Sequence, residues 1–199
     1  MYIRKMIKVL LVLVFLFSML VATSQTSSSS FKEVRVSGGV GIAYPQVNPL
    51  SPGQYLWLQH AYRFAPKVWI ATEYESMVYK RPTFYSYSPA EYDKIKFYDH
   101  NISLLFKYQV ITTNKTKLVA ASGWTYCIQQ REQYEPIFAD NGVFWSRRVT
   151  SFSEYKIPLL AELEYPLFKA VNIQARVKYN LVANDRSTYG AGIGASLKL

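Results

Sequence analysis

The sequence predicts an all-β protein, an eight-stranded antiparallel up-and-down transmembrane β-barrel with a packed polar lumen. Three observations lead to this prediction. Apolar and polar residues alternate along eight segments, as they do when side chains point to opposite faces of a strand. The turn sequences between the segments alternate between short and long. The polar face combines glycine with charges of both signs, which suits the inside of a narrow cylinder better than a surface in water.

The pattern is clearest in the segment 171–199. Within 171–181 every odd position is apolar, counting alanine and tyrosine, and every even position is polar or charged. After a polar break at 184–186 the alternation resumes over 189–199, where glycine, serine and lysine take the even positions. We expect a closing hairpin whose last strand pairs with the first strand of the barrel, because bare backbone edges cannot face lipid.

The six preceding strands follow from the same alternation. Apolar residues recur at alternate positions in the ranges 34–44, 54–64, 67–79, 98–110, 117–130 and 152–165. Short turns are predicted after the second, fourth and sixth strands, at 65–66, 112–115 and 166–169. The connections 45–53, 80–97 and 131–151 are longer, and 182–188 is of modest length. One rim of the barrel is therefore expected to carry long loops.

The N-terminal residues are predicted to lie outside the barrel. Arg4, Lys5 and Lys8 precede an apolar run over 9–21, which is too short to span a bilayer as an ordinary helix. This pattern predicts a signal peptide that exports the protein. The expected organisation is a signal peptide at 1–24, a flexible lead-in at 25–32 and a barrel domain at 33–199.

Alternation alone does not say which face lies inside. A soluble lipocalin-like, ligand-binding barrel has its apolar face inward, whereas a membrane barrel turns that face toward lipid. Aromatic residues favour the membrane, because they occur on the apolar face at two levels about 9–11 residues apart, as interfacial belts would. The predicted belts comprise Tyr44, Tyr62, Phe64, Tyr108, Tyr126, Tyr155, Tyr165, Tyr179 and Tyr189.

Charges of both signs on the polar face predict an ion-pair network in the lumen, since an unpaired buried charge is very costly. Neighbouring strands should place the acids at 73 and 75 beside Lys107, and those at 162 and 164 diagonal to Arg176. Two carboxylates engaged in acid–base catalysis are the alternative interpretation. The predicted network comprises Arg35, Arg63, Glu73, Glu75, Lys107, Glu162, Glu164, Arg176 and Lys178.

Composition argues against several function classes. Lys plus Arg is 23 and Asp plus Glu is 13, but the basic residues form no cluster or nucleic-acid motif, so no nucleic-acid partner is predicted. The only cysteine, Cys127, cannot form an intramolecular disulfide, and two separated histidines do not indicate a metal site. No catalytic, cofactor-binding or metal-ligating residue is predicted.

A lipid-A-modifying enzyme, of the deacylase or acyltransferase type, is the alternative function. It requires a serine and a histidine that converge on the lipid face. His100 and Ser103 are three residues apart and therefore fall on opposite faces, and His60 lies among aliphatic residues. Both histidines are expected to be interfacial side chains, and the protein is expected not to be an enzyme.

The long loops are the predicted functional surface. Basic residues flank them together with tyrosine and tryptophan. One interpretation is attraction to the phosphates of outer-leaflet lipopolysaccharide. The other is contact with a partner protein or ligand through 84–87 and 138–145. The predicted loop contacts are Arg81, Tyr85, Tyr87, Trp145, Arg147 and Arg148.

The segment 155–160 (YKIPLL) and the ending 189–199 (YGAGIGASLKL) are similar to sequences of the small eight-stranded outer-membrane β-barrel families, of the OmpX/OmpA-barrel and PorT-like kinds. The resemblance implies a Gram-negative outer membrane and insertion by the barrel assembly machinery. That machinery usually reads a terminal aromatic residue, whereas this chain ends on Leu199. The expected function is a structural or interaction role, in envelope integrity, adhesion or an outer-membrane complex, and not that of an open pore.

Overall fold

The computed structural model describes residues 33–45, 51–82, 94–113, 115–139, 142–182 and 187–199. The predicted signal peptide and lead-in lie outside these residues. The strands are β1 (Glu33–Pro45), β2 (Ser51–Ala65), β3 (Val68–Pro82), β4 (Lys94–Thr112), β5 (Lys117–Ala139), β6 (Gly142–Pro166), β7 (Val171–Leu181) and β8 (Thr188–Lys198). None of the described segments is a helix long and apolar enough to cross a bilayer.

The eight strands form one closed antiparallel barrel, as predicted. Each strand pairs with its neighbours in the sequence, and β8 closes the ring by pairing with β1. Following register partners once around the ring leads from Glu33 back to Ala43, ten residues further along β1. With eight strands, this stagger tilts each strand by about 40° from the barrel axis, as is usual for barrels of this size.

The barrel is apolar outside and charged inside. On the β7–β8 hairpin, the apolar side chains of Val177 and Ile193 are 58% and 67% exposed. The charged side chains of Arg176 and Lys178, which flank Val177 on β7, are only 2% and 0% exposed. In water this arrangement would expose apolar surface and bury charge, both at a cost in free energy. It is the arrangement that hydrocarbon requires, so the structure excludes the soluble lipocalin-like alternative.

Side chains fill the lumen of the cylinder. Tyr55 and Lys178 are among the largest fully buried side chains. Glycines on β8 leave the space for bulky residues on β2, since a methyl group added at Gly194 would stand 2.7 Å from the Trp57 ring. A cavity of about 10 Å³ remains beside Trp69, and this volume is at the lower limit of what a single water molecule needs.

The structure corrects two of the predicted long loops. Residues 80–82 and 94–97 of the first, and 131–139 and 142–151 of the second, are strand, because β3 continues to Pro82, β4 begins at Lys94, β5 runs to Ala139 and β6 begins at Gly142. Beyond the bilayer neither face of a strand has to be apolar. The alternation with a period of two therefore fades there while the backbone pairing continues.

β5 and β6 extend beyond the other strands of the barrel. In the described part of the chain, the β4–β5 pairing ends at Glu132 and the β6–β7 pairing begins at Ile157. Further out, β5 and β6 pair only with each other, as far as Ala139 and Gly142. We call the two-stranded segment of residues 133–139 and 142–148 the β5–β6 ribbon.

Candidate functional site

Arg176 and Lys178 of β7 form the centre of the lumen network. Arg176 donates hydrogen bonds from Nη1 and Nη2 to the two carboxylate oxygens of Glu73, at 2.7 and 3.0 Å. Lys178 Nζ donates to Glu73 Oε1 and Glu75 Oε2, at 2.7 Å each. Both acids belong to β3, four strands away from β7 in a ring of eight. The network therefore joins opposite walls of the barrel.

A second ion pair lies next to this centre. Lys107 on β4 pairs with Glu162 on β6, and Lys107 Nζ donates to Gln59 Oε1 at 2.6 Å. Gln59 Nε2 in turn donates to Glu73 Oε2 at 2.7 Å, so one amide links the two charge clusters. Gln59 is not in the network predicted from the sequence, because its only signal there is its place on the polar face.

The expected pairing of Lys107 with the acids of the adjacent strand is wrong. The register partner of Lys107 on β3 is Trp69, four residues from Glu73. The nearest acid partner of the lysine is Glu162, on the second strand along the ring. Because the lumen is narrow, long side chains find partners across it as readily as along its wall.

A third group of charges lies near the short-turn end. Arg35 Nη1 donates to Glu164 Oε2 at 2.6 Å, and Glu33 accepts from both Arg35 and Arg63, at 2.5 and 3.3 Å. The Trp69 ring lies 5.1 and 5.3 Å from the two guanidinium carbons. Each of the nine residues assigned to the lumen network from the sequence thus has an oppositely charged partner in the structure.

The outer end of the lumen holds a further group of charges, in which Glu154 and Lys156 are on the predicted polar face and Asp99 is an addition. Lys156 Nζ lies 3.3 Å from Asp99 Oδ2 and 3.3 Å from Glu154 Oε1. Gln129 Nε2 donates to the same two acids, at 3.3 and 3.1 Å. Asp99 lies at the start of the predicted strand 98–110, next to the predicted loop 80–97, and is not in the predicted network.

The charges of this network pair with one another and stabilise the barrel, and they are not arranged for catalysis. Glu73 and Glu75 share the ammonium of Lys178, so neither is placed as a free acid or base for catalysis. No cluster of three or more His, Cys, Asp or Glu side chains that could hold a metal ion occurs in the described ranges. Mutual pairing makes the burial of these charges tolerable and makes each of them costly to remove.

Aromatic side chains mark two levels on the outside of the barrel. At the outer level Tyr44 stacks on Tyr189 with ring centroids 5.5 Å apart, and Tyr126 lies 5.4 Å from Tyr155. Tyr165 stands ten residues further along β6 than Tyr155, so with the strand tilt the two levels are roughly 25 Å apart along the barrel axis. This is the height of the apolar band of membrane barrels. The other predicted belt residues are Tyr179 at the outer level and Tyr62, Phe64 and Tyr108 near the short turns.

A serine and a histidine from different strands are neighbours on the lipid face. Ser76 of β3 and His100 of β4 are register partners. The Tyr74 hydroxyl lies 2.9 Å from His100 Nδ1, where a catalytic triad has a carboxylate. Ser103 lies in the lumen instead, with its hydroxyl 2.7 Å from that of Thr125. The Ser76–His100 pair could not be found without the strand register.

The β5–β6 ribbon carries three of the residues predicted as loop contacts, namely Trp145, Arg147 and Arg148. Arg147 Nε lies 2.6 Å from Glu132 Oε1, and Arg148 Nη1 lies 3.4 Å from Glu135 Oε2, with both arginines largely exposed. Of the remaining predicted contacts, Arg81 pairs in register with Ile95 at the outer end of β3. Tyr85 and Tyr87 lie outside the described residues.

The far end of the ribbon exposes large apolar side chains to the outside. Ile137 and Phe138 of β5 are 51% and 79% exposed, and Val143 and Phe144 of β6 are 52% and 57% exposed. We call these four residues the apolar tip. Gly142, at the start of β6 beside the tip, has a positive φ of 135°, a conformation that favours glycine.

The fold is shared with several solved outer-membrane barrels. Ail, the attachment invasion locus protein of Yersinia pestis, matches with a TM-score of 0.57 and 12% identity over 85% of this chain and 99% of that one. The chain has the fold of a small outer-membrane β-barrel. The outer membrane protein OprG from Pseudomonas aeruginosa also matches this barrel, with a TM-score of 0.56 and 11% identity over 87% of this chain and 98% of that one. Neisserial surface protein A matches with a TM-score of 0.55 and 13% identity over 87% of this chain and 100% of that one. No protein-family model matches the barrel, and no curated protein matches its sequence significantly.

Together, the closed ring, the exposed apolar band and the two aromatic levels place the barrel in an outer membrane. The short turns after β2, β4 and β6 lie at one end, and the β5–β6 ribbon lies at the other. In membrane barrels the short turns face the periplasm and the longer connections face outward. The ribbon therefore projects away from the cell.

Proposed function

We propose that the barrel is a surface protein that acts through contact, with the β5–β6 ribbon as its contact element and adhesion as its role. The observation that carries this proposal is the ribbon itself, which stands outside the barrel wall and ends in the apolar tip. The filled, ion-paired lumen suits a rigid scaffold and not an open pore.

Energetics support a partner for the ribbon. An isolated two-stranded ribbon is marginally stable in water, and contiguous exposed apolar residues usually mark a binding surface. The ribbon has no third strand beside it in the described residues, although the barrel fixes its base through the β4–β5 and β6–β7 pairings. A partner that covers the tip would remove apolar surface from water and stabilise the ribbon.

The comparisons support adhesion at the level of fold. One barrel of similar fold is an attachment invasion locus protein, and it has been solved in complex with sucrose octasulfate, a heparin analogue. The basic side chains at the outer rim also suit lipopolysaccharide phosphates as a lipid contact, with Lys96 near that level on β4. Insertion by the barrel assembly machinery belongs to the same proposal, and a role in envelope integrity or as an accessory subunit is the alternative to adhesion.

The proposal assigns no catalytic step to the barrel. The lipid-A-modifying alternative requires a nucleophile, a base and a group that orients the base. Ser76 and His100 are adjacent on the lipid face, but a phenol and not a carboxylate contacts the histidine Nδ1. The Tyr74 and His100 rings stack with their centroids 6.2 Å apart, and tyrosine is a common side chain at membrane interfaces.

Removal of the ribbon tests the proposed function. Glu132 and Val149 are register partners, so residues 133–148 can be replaced by an Asn-Gly turn that closes the hairpin at the rim. We expect the shortened barrel to fold and insert, and cells displaying it to adhere to cultured epithelial cells at least about tenfold less well than cells with the complete barrel. Equal adherence of the two strains would contradict the proposal. Detergent sensitivity that appears only when the whole barrel is deleted would then favour an envelope role.

A further inference from the structure

We propose that the apolar tip of the β5–β6 ribbon inserts into a second lipid bilayer, one that faces the outer membrane from outside. This inference deepens the proposed function and rests on it, because it names the surface that the ribbon contacts. It commits to phospholipid as the ligand and to a membrane other than the barrel's own as its source.

Both faces of the ribbon are apolar at the tip. Phe138 pairs with Val143, and Ile137 pairs with Phe144, so the two pairs lie on opposite faces of one ribbon. All four side chains are more than half exposed. A folded protein would cover one face of such a ribbon and leave the other in water. Fluid hydrocarbon can surround both faces at once, which is why an apolar finger of this shape suits a bilayer.

The residues behind the tip match a membrane interface. Trp145 follows directly after Phe144, and exposed Arg147 and Arg148 come two and three residues later on β6. Tryptophan and arginine are the side chains that collect at the headgroup level, where the indole spans the polar boundary and guanidinium groups meet phosphates. The order along β6 is therefore apolar, aromatic, basic, which suits an inserted segment, and Glu132 and Glu135 of β5 pair with the two arginines at the charged level.

The reach of the ribbon favours a second membrane over the barrel's own. Phe138 lies twelve residues beyond Tyr126, which marks the outer aromatic level on β5. Twelve strand residues span up to about 40 Å. An outward ribbon of that length holds the tip well above the leaflet in which the barrel sits.

Strand addition by a protein is the competing explanation. The β7 side of β6 is open from Val143 to Lys156 in the described residues, since β7 pairs with β6 only from Ile157 onward. An extended segment of another protein could pair there. That mode would use backbone groups of β6 and would need only one face of the ribbon, so it would not require apolar side chains on both faces.

The test uses the full-length mature barrel in nanodiscs together with separate phosphatidylcholine vesicles. We expect the barrel to float with the vesicles in a density gradient, and the double variant F138S/F144S, which removes one aromatic side chain from each face, to bind them about tenfold or more weakly. The matched control is L167S/F168S, which removes exposed apolar residues from the short turn at the opposite end and should bind as the unaltered barrel does. Brominated lipid confined to the vesicles should quench Trp145 fluorescence, and a W145F variant should lose that quenching.

Three results would overturn the inference. The first is that the unaltered barrel does not bind the vesicles. The second is that F138S/F144S binds them as well as the unaltered barrel does, and the third is that brominated vesicle lipid does not quench Trp145 fluorescence. If removal of the ribbon still abolishes adhesion to cells in any of these cases, the proposed function stands and a protein partner pairing with β6 replaces the bilayer. If removal of the ribbon leaves adhesion unchanged, the proposed function fails as well.

Discussion

Replacing Glu73 with alanine is expected to lower the free energy of unfolding by about 3–5 kcal/mol. Glu73 accepts hydrogen bonds from both Arg176 and Lys178, and all three side chains are fully enclosed. Its removal leaves two buried cations short of a counter-charge. Urea unfolding of the barrel in lipid vesicles, followed by tryptophan fluorescence, measures the difference.

The matched control for this change is Glu135→Ala. Glu135 pairs with Arg148 at 3.4 Å on the exposed ribbon, where an ion pair contributes less than about 1 kcal/mol. The two variants remove the same side chain from two places that differ in burial. A Glu73→Ala barrel as stable as the Glu135→Ala barrel would show that the lumen charges are solvated, and the network would lose its role in the account.

Placing arginine at position 193 is expected to cost about 2–4 kcal/mol of stability in a bilayer. Ile193 is on the outside of β8, four residues from Tyr189 at the outer aromatic level, and is 67% exposed. In water, arginine in place of an exposed isoleucine would cost almost nothing. In hydrocarbon the guanidinium must be dehydrated or must pull water into the bilayer.

Phe138→Arg provides the comparison for position 193. Phe138 is even more exposed than Ile193, but it lies on the ribbon beyond the aromatic level. We expect this variant to unfold in vesicles at the same urea concentration as the unaltered barrel. If both arginine variants are equally stable, position 193 does not face hydrocarbon and the membrane orientation is wrong.

The parts of the fold that could be predicted from the sequence are those on which the bilayer acts. In β7 and β8 each outward position must be apolar and each inward position must fit a crowded lumen, so the alternation is strict and the hairpin at 171–199 was found with its pairing to β1. Beyond the aromatic levels this requirement ends. The outer halves of β5 and β6 therefore show no alternation, and the sequence predicts a loop there.

The membership of the lumen network was easier to predict than its pairing. Membership follows from parity, which each strand shows by itself. Pairing depends on the stagger of ten residues around the ring and on side chains that cross a narrow lumen, as in the contacts of Arg176 and Lys178 with Glu73. The same dependence on register hid Ser76 opposite His100. The sequence of a single strand contains no information about its stagger against the next.

The most direct test of the central claim, that apolar side chains face hydrocarbon while charges fill the lumen, is spin-label accessibility along β7. Labels at 173, 177 and 179 are compared with labels at 172 and 180, in a Cys127→Ser background and in phospholipid vesicles. The account predicts that the odd positions are relaxed strongly by oxygen and weakly by a water-soluble nickel complex, while the even positions are shielded from both. Odd positions that respond to the nickel complex, with even positions that do not, would show apolar residues in water and would contradict it.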